Sequence, residues 1–210
     1  PVHHFMQTAQ LRNVKDRAEG KLARDDWRDV AEAIGGAAHM LFHLATPFLR
    51  SARAHWGLEA EEAERPHPGD QLVPDPRWSW THGIAIEASA EDVWGWIAQI
   101  GVGRGGFYSY QGLENLAGCD LVNAERVHPE WELRPGDPLV LHPRMPPLRI
   151  VEVERGRHLV AHAAADEEAR GAGRPWAAAS WAFIVEPLGP AKCRLISRFR
   201  SSYSDDLATR

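Results

Sequence analysis

The feature that most restricts how this chain can fold is a change of hydrophobic period. Up to about residue 50 the apolar residues recur at helical spacing, and from Trp80 onward they alternate. Leu11, Val14, Ala18 and Leu22 fall on one helical face, with Arg12, Lys15, Asp16 and Glu19 outside it. This spacing predicts a helix over 5–22, weakened at its end by Gly20. Trp27, Val30, Ala31, Ile34, Ala38, Leu41, Ala45 and Phe48 make a second stripe, predicting an amphipathic helix over 26–50 that Pro47 kinks or ends. Residues 57–79 change character: Glu59, Glu61, Glu62 and Glu64 run into Pro66, Pro68, Gly69, Pro74 and Pro76. That composition reads as a connector rather than core.

Beyond the connector, Ile84 and Ile86 alternate in a short strand. Ser89, followed by Glu91 and Asp92, is an N-cap signal for a helix that buries Val93, Trp94, Ile97 and Ile100. A glycine-rich turn at 101–106 leads into a short helix at about 109–117. Strands are expected over 139–142, 148–154, 158–163, 178–186 and 193–200, with a charged, glycine-containing mobile loop at 166–174. Consecutive strands with short connections make an antiparallel sheet with helices segregated to one face, an α+β fold. Segments 1–25, 26–79 and 80–210 are read as parts of one structural domain.

Several function classes are disfavoured at once. A net charge of −5 argues against a dedicated nucleic-acid binder. Two cysteines, Cys119 and Cys193, make neither a disulfide framework nor a four-thiolate zinc site, and a reducing, cytoplasmic setting is the expectation. The first residues lack the pattern of a secretion signal. The most apolar stretch, 34–49, is interrupted by His39 and His43 and is shorter than the roughly 20 residues of a spanning helix, so membrane contact is not expected.

Gly101, Gly103 and Gly106 match a dinucleotide fingerprint in letters, but a helix rather than a strand precedes them, and a tight helix-to-helix turn is the better reading. His39 and His43, with Glu32, fall on the polar face of the second helix, where histidines simply meet water. No metal and no cofactor are expected.

The chemically richest stretch runs from Gly105 to Leu116 and on through Asn123 to Trp131. Aromatic residues there suit an apolar ligand, and a few polar groups suit its orientation. Taken singly, each residue is more readily explained as core filler or as a structural ion pair.

The letters also resemble a known family. His55 to Glu62, Pro68-Gly69-Asp70 and Val73-Pro74 are similar to the opening segment of a bacterial branch of the SRPBCC superfamily, which includes START lipid-transfer domains, polyketide cyclases and birch-pollen-allergen-like proteins. The likeness continues through 86–101, Gly105 to Tyr110, Leu113-Glu114-Asn115, Pro129-Glu130-Trp131 with Gly136-Asp137, and the late strands at 181–187 and 194–200, covering about 55–200. The resemblance implies a helix-grip fold: a curved antiparallel sheet wrapped around a long helix, enclosing an apolar cavity. Family members close the cavity with a C-terminal helix. Here Pro1-Val2-His3-His4-Phe5-Met6 through Arg17-Ala18-Glu19 resembles that helix, placed at the front. The order implies a circular permutation, the rival explanation being a helix exchanged with a neighbouring copy in a swapped dimer.

The resemblance implies binding of a small hydrophobic, lipid- or polyketide-like molecule in a carrier or sequestering role. Expected ligand contacts are Trp94, Tyr108, Tyr110 and Asn115, together with Arg126, Trp131, His162 and Trp181. One alternative is a cyclase or dehydratase in which Tyr110 donates a proton, Glu114 or Glu130 is the base and Arg126 steadies an enolate or carboxylate. Another is a protein that docks on a partner or membrane through the 26–50 helix.

Overall fold

The computed structural model describes residues 2–21, 35 and 54–205. The expected 26–50 helix, with Glu32, His39 and His43, lies outside the described residues. The fold is α+β, built on a six-stranded sheet in the order β1-β6-β5-β4-β3-β2, antiparallel throughout. The strands are β1 (Trp78–Ile86), β2 (Pro138–Leu139), β3 (Leu148–Glu154), β4 (His158–Ala163), β5 (Ala177–Gly189) and β6 (Lys192–Tyr203). β1 and β2, neighbours in sequence, lie at opposite edges. The chain between them therefore crosses the whole sheet, carrying α3 (Ala90–Ile97) and α4 (Gln111–Leu116) with it.

Helix α1 (Val2–Ala18) packs on β1, β6 and α3 of its own chain. It starts and stops earlier than its apolar spacing predicts. Its end is set by Gly20, whose φ of +67° only glycine adopts cheaply: the Gly20 N–H reaches the Arg17 carbonyl and the Lys21 N–H the Asp16 carbonyl, which closes the last turn. Leu11 and Val14 are buried as expected, but so are Gln7, Thr8, Gln10 and Asn13. This helix is thus held by polar bonds as much as by apolar contact. Lys15 Nζ donates to the Ala85 carbonyl at 2.7 Å and Arg17 Nε to the Ala124 carbonyl at 3.1 Å.

α3 begins where its cap signal placed it. Ser89 Oγ accepts the Asp92 N–H at 3.1 Å, and Val93, Trp94, Trp96 and Ile97 are buried. A large apolar side chain fully buried in this way contributes roughly 1.5–3 kcal/mol. With Ile86, Ile100, Phe183, Leu159 and Leu195 these residues form the main core, on the face of the sheet that α1 and α3 cover.

The opposite face holds a smaller cluster of Val160, Ala182, Ile184 and Ile196, with Leu58 and Leu72 packed on it. Here the structure corrects the reading of 57–79 as mere connector: Ala63, His67 and Val73 are buried, and the segment, including α2 (Ala60–Glu64), covers this outer face. Three arginines of β6 clamp it. Arg194 pairs with Glu62; Arg198 bonds Asp70 Oδ1 at 2.6 Å, Thr81 Oγ1 at 2.6 Å and the Ala63 carbonyl at 3.0 Å; Arg200 donates to the Val73 and Pro74 carbonyls. Within the acidic run, Glu62 is the residue that meets a β6 cation, Arg194. The loop expected at 166–174 contains a short helix, α5 (Glu167–Gly171), capped by Asp166.

Among the described residues no helix is long and apolar enough to cross a membrane. Both cysteines are reduced and buried.

Truncating Arg198 leaves Asp70 without its main partner in a largely water-excluded place. Arg198→Ala is expected to lower unfolding free energy by about 3 kcal/mol in urea titration and to open 57–76 to proteolysis. A loss below about 1 kcal/mol contradicts the clamp.

Candidate functional site

Register and pleat decide what faces α1. One cross-strand row on the inner face reads Trp80, Phe199, Trp181, Ala161 from β1 to β4. The next row toward the end of the sheet reads Trp78, Ser201, Ala179, Ala163. Trp80 stacks on Phe199 with centroids 5.5 Å apart, and Trp78 meets the same phenyl edge-on at 5.5 Å. Trp181 lies 4.8 Å from Phe183 and 6.4 Å from Phe107. Bulky aromatic side chains thus stand around a floor of small ones, Ala161, Ala163, Ala179 and Ser201.

α1 packs on β1 and β6 of this face and is joined to it by a polar relay at Ser197. Ser197 Oγ donates to Gln7 Oε1 at 3.1 Å and accepts from Trp181 Nε1 at 2.9 Å. Gln10 Nε2 donates to the Phe107 carbonyl at 2.9 Å. Buried polar atoms with no hydrogen-bond partner among the described residues include Gln10 Oε1, Trp80 Nε1 and Glu114 Oε2. An interior normally satisfies such groups.

Of the residues expected to carry chemistry, Glu114 is the one in a chemically unusual place. It is only 7% exposed, its Oε1 accepts from the Ser109 hydroxyl, and burial pushes its pKa up to about 6 although that bond works the other way. The Cys119 thiol is raised by burial and, secondarily, by the Glu114 charge. Cys119 lies against the Leu141 carbonyl, at the β2 edge of the same core. Tyr110 caps α4 half-buried, with its carbonyl accepting the Glu114 N–H at 3.0 Å. Glu130 is elsewhere: it is exposed on the turn Pro129–Trp131, and its own backbone N–H and His128 lower its pKa. Of the two carboxylates offered as alternative bases, Glu114 is buried on the helix that Tyr110 caps, and Glu130 is exposed.

The expected ligand contacts are scattered. Trp181 is on the inner face. His162 pairs in register with Ser180 and shares the outer face with Ala182, its Nδ1 2.9 Å from the Ala179 carbonyl. Asn115 is exposed and bonds both the carbonyl and the N–H of Leu121 at 2.8 Å, a loop-closing role. Tyr108 is fully buried at φ +57°, its hydroxyl accepting from Gln99 Nε2 at 2.8 Å; burial pushes its pKa up to about 12.

Arg126, Trp131 and Trp94 gather near a separate surface cleft of about 380 Å³ beside α3. Trp94 lines it and donates to Glu132 at 3.3 Å; His128, stacked on Trp131 at 4.0 Å, lines it too, and Arg126 Nε lies 3.4 Å from His128. Its charged walls are already matched, with Arg155 bonding both Glu91 and Glu132.

The glycine-rich turn is a local closure, with Gly101 bridged to Gly106. A side chain at Gly106 collides with Asn123, the residue whose Oδ1 holds the Tyr108 N–H at 2.7 Å. Among the described residues no group of three or more His, Cys, Asp and Glu gathers as a metal site. Sequence reasoning missed Gln7, Gln10, Trp80, Phe107, Ser197 and Phe199. The available signal was the pair Gln7 and Gln10 flanking Leu11 on the apolar side of α1. No protein-family model matches the chain, and no curated protein matches it either.

The raised Glu114 pKa fixes a sign. The fold prefers the protonated acid, so its disadvantage is absent below about pH 4.5 and complete above about 6. Relative to Glu114→Gln, the wild-type protein is expected to lose about 2 kcal/mol of stability between pH 4 and pH 7 in urea titrations. An unchanged difference across that range contradicts the burial account.

Proposed function

We propose that this chain is a helix-grip protein of the SRPBCC type and binds a small hydrophobic molecule between α1 and the inner face of the sheet, as a carrier or sequestering module. The observation that carries the reading is the alanine floor at Ala161, Ala163 and Ala179, ringed by Trp78, Trp181 and Phe199, on the same face of the sheet that α1 docks on by polar bonds. Aromatic walls around small side chains, with a few polar groups, are what a ligand chamber requires.

The place of α1 supports a permuted order. Gln7 sits over Ser197 and Lys15 over Ala85, so α1 runs antiparallel to β6. Its first turn lies toward the Tyr203 end of β6. A family-type helix following the last strand would start there, and chain ends that lie close together make the rearrangement physically simple.

Glu114 favours a second reading, general acid–base catalysis on the bound molecule. A carboxyl with a pKa of about 6 holds and releases a proton near neutrality, and its Oε2 has no protein partner.

N-phenyl-1-naphthylamine, an uncharged apolar fluorophore, is the direct probe. It is expected to bind one to one, and Ala179→Leu, which fills the floor, is expected to weaken binding at least about tenfold while leaving the circular dichroism spectrum unchanged. Equal binding by a folded Ala179→Leu protein contradicts the proposed location.

A further inference from the structure

The outer face buries a titratable group that plays no part in the ligand binding proposed above. His67, in the segment between α2 and β1, is only 5% exposed, and its Nε2 lies 3.0 Å from the Glu62 carbonyl. A carbonyl can only accept, so Nε2 carries the proton of the neutral ring and acidification adds the second proton at Nδ1. The His67 backbone N–H donates to Asp70 Oδ2 at 3.1 Å, and Arg198 donates to the same oxygen at 3.1 Å. One carboxylate thus ties the backbone at His67 to a guanidinium of β6. Two residues further on, Gly69 has φ +85°, and a Cβ there would sit 2.7 Å from Val160 Cγ1. The segment therefore lies flush on β4 beside the ring.

The charges around His67 are matched without it. Arg194 of β6 holds Glu62, Arg65 holds Glu186 of β5, and Arg198 and Arg200 of β6 share Asp70. β1 and β4 meet this region through Thr81 and Val160, which carry no charge. An imidazolium at His67 is one more cation among Arg65, Arg194, Arg198 and Arg200, with no carboxylate left to itself.

We propose that the 57–76 segment is a pH-sensitive cover: protonation of His67 loosens it from the sheet and bares the apolar cluster of Val160, Ala182, Ile184 and Ile196. Burial first, and then the Arg198 and Arg65 charges, hold the His67 pKa below its ordinary 6.5, although the bond to the Glu62 carbonyl works the other way. The closed cover therefore favours the neutral ring. Closure carries no penalty well above pH 6.5 and is progressively weakened as pH falls below that value. Glu62 does not mimic the effect, because Arg194 holds its carboxyl below the usual range and it stays ionised in mild acid. A single titrating group changes the open fraction by at most about tenfold per pH unit, so the response is a graded local loosening.

Hydrogen–deuterium exchange on the whole protein at about pH 7.5 and about pH 5, corrected for intrinsic exchange rates, reads the cover directly. Protection over 57–76 is expected to fall at least about threefold in acid while 93–97 and 181–185 keep theirs. His67→Gln, which retains an N–H for the Glu62 carbonyl and does not titrate, is expected to abolish the fall. Should that variant fail to fold, the wild-type comparison decides. Unchanged protection over 57–76, an equal fall in folded His67→Gln, or a loss spread evenly over the sheet overturns the proposal.

Discussion

The docking of α1 on the inner face of the sheet governs the rest of this structure. A helix that buries Gln7, Gln10 and Asn13 beside Leu11 and Val14 is not fixed by hydrophobic contact alone. It is positioned by directional bonds to Ser197, Phe107, Ala85 and Ala124. Such bonds contribute modestly each, about 0.5–1.5 kcal/mol, because water competes for the same groups. They fix where a helix lies more strongly than how tightly. That suits an element covering the ligand chamber proposed above.

The two faces of the sheet divide the work. On the outer face, Arg194, Arg198 and Arg200 of β6 are each bonded by the 57–76 segment, and the apolar cluster beneath it is small. Residues placed there serve stability. The inner face is aromatic at its centre, and its end row is alanine and serine on three strands. The surface cleft beside α3 differs from both: its Arg155 pairs with Glu91 and Glu132 on the same wall.

Much of the fold was legible in the chain. Alternation marked β3, β4, β5 and β6, and the Ser89 cap marked the start of α3, because both signals are local and strong. The covering role of 57–76 was not legible: its glutamates and prolines look like solvated linker until Arg194 and Arg198 stand opposite them across more than 120 residues of sequence. The site was legible in part. Glu114 was singled out for its aromatic and polar neighbourhood and is buried, whereas Glu130, two residues from His128 on a surface turn, is exposed. His162 and Trp181 are both in strands, but only pairing register reveals that they face opposite sides. Gln7 and Gln10 were overlooked because a glutamine near the start of a helix ordinarily meets water.

The central claim is one of place: that ligand is held between α1 and the inner face. Hydrogen–deuterium exchange on the whole protein, with and without saturating N-phenyl-1-naphthylamine, tests it most directly. The account predicts that added protection concentrates in 6–18 of α1, in 177–181 of β5 and in 199–203 of β6. Protection confined to 91–99 and 127–132, the walls of the surface cleft, would contradict it.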